Sequence, residues 1–320
     1  MIKMPKYLRR KILQLISIFL IPHFYIYSSG MSDKVKSFEG ITFLDAGGAY
    51  LSLAKKYQEE SPEFWEYHAE YSRMYTLISP IKNLNIYEEE DFKSAHNRCK
   101  DHYEEASFYY RKKAFVCECC DCCVCCDCCL DRKNINYAKA MEMKAKKKDI
   151  DLFLILNGCA ENEKYDPEQS WEKVKNTKPS YEKYAIAKKS EMIFYLNKTE
   201  ENLDNVIKNW ENVIKDELLI KSFGGRESST WKAYESFANR KIVTFKFLKD
   251  YLFPKDNHNK ITIDSLKEAF IDNYEKDIIA YNETKDKVFK AFAYEAAALY
   301  NSREFFEGFY HLPIQENLNL

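Results

Sequence analysis

From about residue 40 onward, apolar side chains recur every three or four positions, in segments separated by short polar breaks. This spacing is the period of an amphipathic α-helix. The clearest stripe follows Thr199, a favoured cap residue, and consists of Leu203, Val206, Ile207, Trp210 and Ile214. Only residues 242–248 are ambiguous between helix and strand. The pattern therefore predicts an all-α fold.

Capping signals predict where several helices begin and end. Ser61 followed by Pro62 favours a helix start, and a long helix is predicted over about residues 87–116. A further helix is predicted over residues 136–156, because Asn157-Gly158 is a typical stop signal. Short turns between such helices predict antiparallel helix pairs in a bundle or short solenoid-like array, with a cysteine-rich loop insertion.

Residues 1–30 form a segment of distinct composition. Basic residues precede a short apolar run, and small residues follow it, which is the layout of a secretory signal peptide. Because Met31 resembles an ordinary start, the alternative is a wrongly assigned upstream start. We divide the rest at Gly224-Gly225, into helical regions 31–223 and 224–320, with one continuous domain as the alternative.

Composition excludes some classes of partner and compartment. The formal net charge of −1 gives no field that would attract nucleic acid, and no nucleic-acid partner is expected. Crowded thiols would form strained disulfides in an oxidising compartment. We therefore predict a cytoplasmic location, or export if residues 1–30 are a genuine signal peptide.

A cysteine tract spans residues 117–129, where nine of thirteen residues are cysteine. Its cysteines are Cys117, Cys119, Cys120, Cys122, Cys123, Cys125, Cys126, Cys128 and Cys129. Thiolates at this density suit soft or borderline metals such as zinc or copper(I). The tract is accordingly the candidate metal site, and zinc or copper(I) is the candidate cofactor.

The C-x-C and C-C steps of the tract resemble those of metallothioneins, and the resemblance covers these thirteen residues alone. It implies a metal–thiolate cluster. The tract also resembles the palmitoylated string of cysteine-string proteins, which implies a membrane anchor. A third interpretation is an expanded low-complexity repeat tolerated in an exposed loop. All three interpretations stay open.

Other motifs are weaker. His96, Cys99 and His102 recur every third residue and could loosely share a face of the long helix. The lysines at 144 and 146–148 are interpreted as a solvated helical face. Six aromatic residues are interpreted as core: Trp65, Tyr75, Trp210, Trp231, Phe292 and Tyr294. No G-x-S-x-G, H-E-x-x-H or G-x-G-x-x-G motif occurs.

These observations predict a non-enzymatic α-helical protein that acts by macromolecular interaction, as a helical-repeat-like scaffold or adaptor with a protein partner. The alternative is a thiolate-cluster protein that binds zinc or copper(I) through Cys117–Cys129. A third hypothesis is an enzyme whose site is assembled from residues distant in sequence. A membrane is expected as a partner only if residues 1–30 are retained or the tract is acylated.

Overall fold

The structure, a computed structural model, describes residues 38–77, 86–115, 127–156, 167–254 and 262–301. Within these ranges 85% of the residues are in α-helix and none is in a strand, so the predicted all-α class is confirmed. The described residues all belong to one compact unit that spans Ser37–Leu320. None of the helices described here is both long and apolar enough to cross a bilayer.

Eleven α-helices occur in the described ranges. They are α1 (Phe43–Ala54), α2 (Pro62–Thr76), α3 (Ile86–Phe115), α4 (Asp127–Leu156), α5 (Pro167–Lys175), α6 (Glu182–Leu196), α7 (Glu200–Ile214), α8 (Glu217–Ser222), α9 (Ser229–Leu252), α10 (Ile263–Thr284) and α11 (Lys287–Asn301). A 3-10 turn, Pro179–Tyr181, leads into α6.

Side-chain caps mark the helix starts. Thr42 and Asp45 form a reciprocal capping box at the start of α1. The hydroxyl oxygens of Ser61, Thr199 and Ser228 each accept a hydrogen bond from a backbone N–H in the first turn of the helix that follows. The caps anticipated at Ser61 and Thr199 are therefore confirmed.

The two longest helices test the sequence-based boundaries directly. Helix α3 runs from Ile86 to Phe115, within one residue of the predicted range at each end. Helix α4 ends at Leu156 as predicted but begins at Asp127, nine residues earlier than the predicted start. The cysteine-rich loop over residues 117–129 is not confirmed: residues 116–126 lie outside the described part of the chain, and 127–129 are already helical.

The helices pack as a closed cycle. Each helix from α1 to α6 contacts the next helix along the chain. Helix α7 contacts α9, α9 contacts α10, and α10 contacts α11. Helix α11 then returns to α1. The side-chain amide of Asn301 fastens this closure, donating hydrogen bonds to the backbone oxygens of Phe38 and Ile41 over 2.9 and 3.0 Å. Because the last helix meets the first, the helix pairs do not form an open array.

The turn at Gly224 and Gly225, which the sequence marks as an internal boundary, connects α8 to α9. Both glycines have a φ near +90°, a backbone conformation that residues with a side chain rarely adopt. Glycine is therefore required at this turn by the backbone.

Aromatic side chains fill much of the core. Trp171, Trp210 and Trp231 are fully buried, and the Trp210 ring meets Phe237 edge to face with centroids 5.6 Å apart. The core prediction is thus correct for Trp210 and Trp231, and Trp65 and Tyr294 are partly buried and pack against the core. It is wrong for Tyr75 and Phe292, which are exposed because they lie on the outer sides of α2 and α11.

Candidate functional site

Helices α2 and α4 face each other with charged side chains. On α2 the charged positions are Glu63, Glu66, Glu70 and Arg73, and on α4 they are Lys139, Glu142, Lys146 and Asp149. Steps of three, four and seven residues place each set on one side of its helix. The two sides meet, because Lys146 Nζ lies 3.0 Å from Glu70 Oε1 and Lys139 Nζ lies 3.5 Å from Glu66 Oε2.

Glu70 is the centre of these contacts. Its carboxylate, on a side chain that is 9% exposed, accepts hydrogen bonds from Arg73 Nε at 2.6 Å, Lys146 Nζ at 3.0 Å and Tyr103 OH at 2.9 Å. Burial acts to raise the pKa of Glu70, but the positive charges of Arg73 and Lys146 outweigh it and hold the pKa well below its usual range. Glu70 is therefore ionised at neutral pH.

Arg73 connects this group to the helices that close the cycle. Its Nη2 lies 2.8 Å from Glu295 Oε2 on α11, and Tyr50 of α1 donates to the same oxygen over 2.7 Å. Burial acts to raise the pKa of Glu295, but Arg73 and the hydrogen bonds hold it below its ordinary value. A continuous set of ion pairs and hydrogen bonds thus joins α1, α2, α4 and α11.

A second carboxylate, Glu191 of α6, lies between two lysines. It accepts hydrogen bonds from Lys188 Nζ at 3.0 Å, from the Trp210 indole N–H at 2.8 Å and from Lys241 Nζ, whose two distances are 3.2 and 3.4 Å. Glu191 is 1% exposed. Burial acts to raise its pKa, and the charges of the two lysines hold it below the ordinary value.

The charged groups of this interior retain some accessible surface. Five cations, Arg73, Lys139, Lys146, Lys188 and Lys241, keep between 17% and 34% of their side-chain surface accessible. Burial is nevertheless the largest single influence on the pKa of each. We call these five cations with Glu66, Glu70, Glu191 and Glu295 the interior charge network.

A second candidate region lies on the outside of the α3–α4 hairpin. Phe108 and Phe115 are 58% and 73% exposed and lie seven residues apart, so both point to one side of α3. Lys133 Nζ of α4 lies 5.6 Å from the centroid of the Phe115 ring, within cation–π range. Tyr137, also exposed, follows Lys133 by one helical turn.

Basic groups surround these aromatic rings. Arg111 lies between the two phenylalanines on α3, and its Nε is buried without a hydrogen-bond partner among the described residues. Burial and the nearby positive charge of Arg111 lower the pKa of Lys144 on α4. We define the hairpin face as six residues: Phe108, Arg111, Lys112, Phe115, Lys133 and Tyr137.

The sequence-predicted metal site falls mostly outside the described residues. Cys117 to Cys126 are not described, and Cys128 and Cys129 are placed only as part of the backbone of α4. The zinc or copper(I) cluster therefore stays a prediction. Within the described ranges, no group of three or more His, Cys, Asp or Glu side chains is arranged to hold a metal ion.

The weaker motif on α3 consists of separate structural residues. The thiol of Cys99 is buried and donates to the backbone oxygen of Ala69 over 3.4 Å, and burial raises the pKa of this thiol. His102 Nδ1 lies 3.3 Å from the Ser72 hydroxyl, and its ring packs against His68. Ala69 and Ser72 belong to α2, so these contacts join α3 to α2.

The sequence predicted that the lysine run on α4 forms one solvated face. The structure does not place all of these lysines on such a face. Lys148 is about half exposed, but Lys146 turns inward to Glu70. Sequence reasoning also missed Glu70, Arg73 and Glu191. Their charge and spacing are visible in the sequence, but nothing there shows that these faces turn inward.

Comparison with protein-family models, with curated proteins and with solved structures found no match to this chain.

Proposed function

We propose that this chain works without catalysis, by binding a protein partner through the hairpin face. The single observation that carries the proposal is the exposure of Phe108 and Phe115 on one side of α3, with lysines 112 and 133 and Arg111 around them. Exposed aromatic residues grouped with arginine are typical of protein interfaces, where they supply most of the binding energy.

The charges of the hairpin face favour an acidic partner segment. Lys133 lies over the Phe115 ring, and Lys112 lies over the neighbouring Tyr109 ring. Arg111 and Lys144 add two further positive charges. Arginine and lysine side chains pair well with carboxylates, which favours an acidic partner. A protein is favoured over a nucleic acid because the chain as a whole has a net charge of −1.

The interior charge network supports a scaffold role for the rest of the molecule. Its ionic contacts join helices that are far apart in the sequence, such as α2 to α11 and α6 to α9. These contacts hold α3 and α4 in place, since Glu70 receives hydrogen bonds from both helices. The hairpin face is therefore presented by a fixed support rather than by a loop.

The proposal is tested with a fluorescein-labelled peptide that alternates glutamate and leucine, by fluorescence anisotropy. The double variant Phe108→Ala/Phe115→Ala should bind the peptide at least about tenfold more weakly than the unaltered chain. Phe292→Ala, which removes an exposed phenylalanine from α11 instead, should leave the affinity within about twofold.

Two results would overturn the proposal. One is equal affinity of all three proteins for the glutamate peptide. The other is tighter binding of a labelled RNA oligonucleotide, or of a peptide in which lysine replaces glutamate. Far-UV circular dichroism of each variant establishes that a change in affinity does not follow from unfolding.

A further inference from the structure

The Glu191 site holds two lysines on one carboxylate. Both oxygens of Glu191 are engaged: Oε2 by Lys188, and Oε1 by the Trp210 indole and by Lys241. A single negative charge can neutralise only one of the two ammonium groups. In an enclosed site, an ammonium group without a full counter-charge tends to lose its proton.

Within the described part of the chain, Glu191 is the acid that Lys241 contacts, whereas Lys188 has a second acid nearby. Lys188 also lies near Asp149 of α4, and although burial acts to lower the pKa of Lys188, Glu191 and Asp149 raise it above the ordinary value. The other charged neighbours of Lys241 are cations, Lys188 and Arg240. Several acids of the helices packed on α9 face other residues: Glu211 faces Lys246, Asp204 and Glu200 face Lys249, Asp272 faces Ser236, and Asp277 faces Arg240.

The pKa of Lys241 agrees with the sharing of one carboxylate by two lysines. Burial, together with the positive charges of Lys188 and Arg240, lowers the pKa of Lys241 to about 8 despite Glu191. Near pH 7.5 a larger fraction of the Lys241 amine is therefore neutral than for an ordinary lysine. A lysine that is desolvated beside another cation is a recurring form of activated amine nucleophile.

The side chain of Lys241 also remains partly accessible. On α9, steps of three to seven residues place Lys241 on the same side as Tyr234, Phe237, Phe245 and Leu248, which pack into the core. About 23% of the Lys241 side chain nevertheless stays accessible, as does 17% of Lys188. Both lysine side chains therefore keep part of their surface open to solvent.

We propose that Lys241 is an imine-forming lysine whose ligands are small 2-oxo acids. The neutral Nζ attacks the carbonyl carbon and a C–N bond forms, while the π electrons of the C=O bond move to the oxygen. The oxygen takes up a proton as the nitrogen releases one. The carbinolamine then loses water, and the nitrogen, once protonated, is an iminium that donates its N–H to Glu191. This step restores a positive charge beside Lys188, and a carboxylate on the ligand neutralises that charge. A 2-oxo acid is therefore favoured over a neutral aldehyde.

The test uses the full chain, glyoxylate and sodium cyanoborohydride at pH 7.5, with modified residues located by peptide mapping. Hydride from the reductant converts the imine to a stable secondary amine. Lys241 should be modified at least about tenfold faster than Lys246, a more exposed lysine on the same helix, with a rate that rises toward pH 8. Lys241→Met should remove this fast phase, and Lys246→Met should keep it.

The rate comparison is made within the unaltered protein, so it stands even if Lys241→Met fails to fold. Modification of Lys241 no faster than Lys246 would overturn the proposal. If acetaldehyde labels Lys241 faster than glyoxylate does, at equal concentration, the assignment to 2-oxo acids is wrong.

Discussion

Replacement of Glu70 by glutamine should destabilise the fold more than any exposed charge replacement. The substitution keeps the size of the side chain but removes the negative charge that Arg73 and Lys146 share. Both cations then remain inside the protein beside a neutral amide. Breaking a buried ion pair by removing one partner typically costs about 3–5 kcal/mol.

The structure places the expected cost at the lower end of that range. Arg73 keeps a second partner, Glu295, at 2.8 Å, and Lys146 keeps Glu142 at 3.6 Å. About a quarter of each cation's side chain is also accessible to water, which compensates part of the lost interaction. We therefore expect the free energy of unfolding to fall by about 3 kcal/mol.

Urea denaturation followed by far-UV circular dichroism measures this loss. The matched control is Glu104→Gln, which removes a carboxylate of the neighbouring helix that is half exposed and lies 3.0 Å from Lys147. An exposed pair of this kind contributes about 0–1 kcal/mol. If both variants lose the same free energy, the central role assigned to Glu70 is wrong.

The pH dependence gives an independent check. The folded-state pKa of Glu70 lies below the ordinary carboxyl value of 4.5, so the unfolded chain binds more protons at this site. The stability that Glu70 contributes is therefore fully present above about pH 5 and is lost as the pH falls below that value. Between about pH 5 and pH 3 the unaltered protein should lose more stability than the Glu70→Gln variant.

Three further predictions follow from single features. Gly48→Ala, in helix α1 with open space at the new Cβ, should stabilise the fold by about 0.5–1 kcal/mol. Gly224→Ala, at φ +90°, should destabilise the fold by at least about 1 kcal/mol, because alanine rarely adopts this backbone conformation. Thermal unfolding that ranks the two variants in the opposite order would contradict this reasoning. Ser228→Ala removes the hydrogen bond that the Ser228 hydroxyl accepts from the Trp231 N–H at 3.1 Å. The free energy of unfolding, measured by urea denaturation, should fall by about 1 kcal/mol. An unchanged free energy of unfolding would show that this cap does not stabilise α9. If residues 117–129 hold a metal–thiolate cluster, elemental analysis of anaerobically purified protein should find bound zinc or copper. Replacement of the tract cysteines with serine should remove this metal. Unaltered protein that contains no metal would exclude the cluster.

The sequence predicted helix positions well because the signals for them are local. A cap, a proline at the first helical position and an apolar stripe act within a few residues of each other. The end of α4 at Leu156 and the limits of α3 were therefore predicted to within one residue. The early start of α4 was missed because cysteine-rich residues 127–129 carry no such signal.

The candidate sites were predicted less well. The sequence drew attention to the cysteines and to His96, Cys99 and His102, because those residue types are common metal ligands. It did not single out Glu70 or Lys241, because glutamate and lysine occur throughout this chain. A charged residue becomes a site candidate only when its surroundings are known, and those surroundings come from other helices.

The amino-acid sequence by itself determined the helical class of this protein and the places where most of its helices begin and end. Tertiary structure alone decided which face of each helix turned inward and which charges met there. Glu70 and Lys146 lie 76 positions apart, and Glu191 and Lys241 lie 50 apart. Helix periodicity is a property of neighbouring residues, whereas the pairing of distant charges depends on how whole helices pack, and local sequence does not encode that packing.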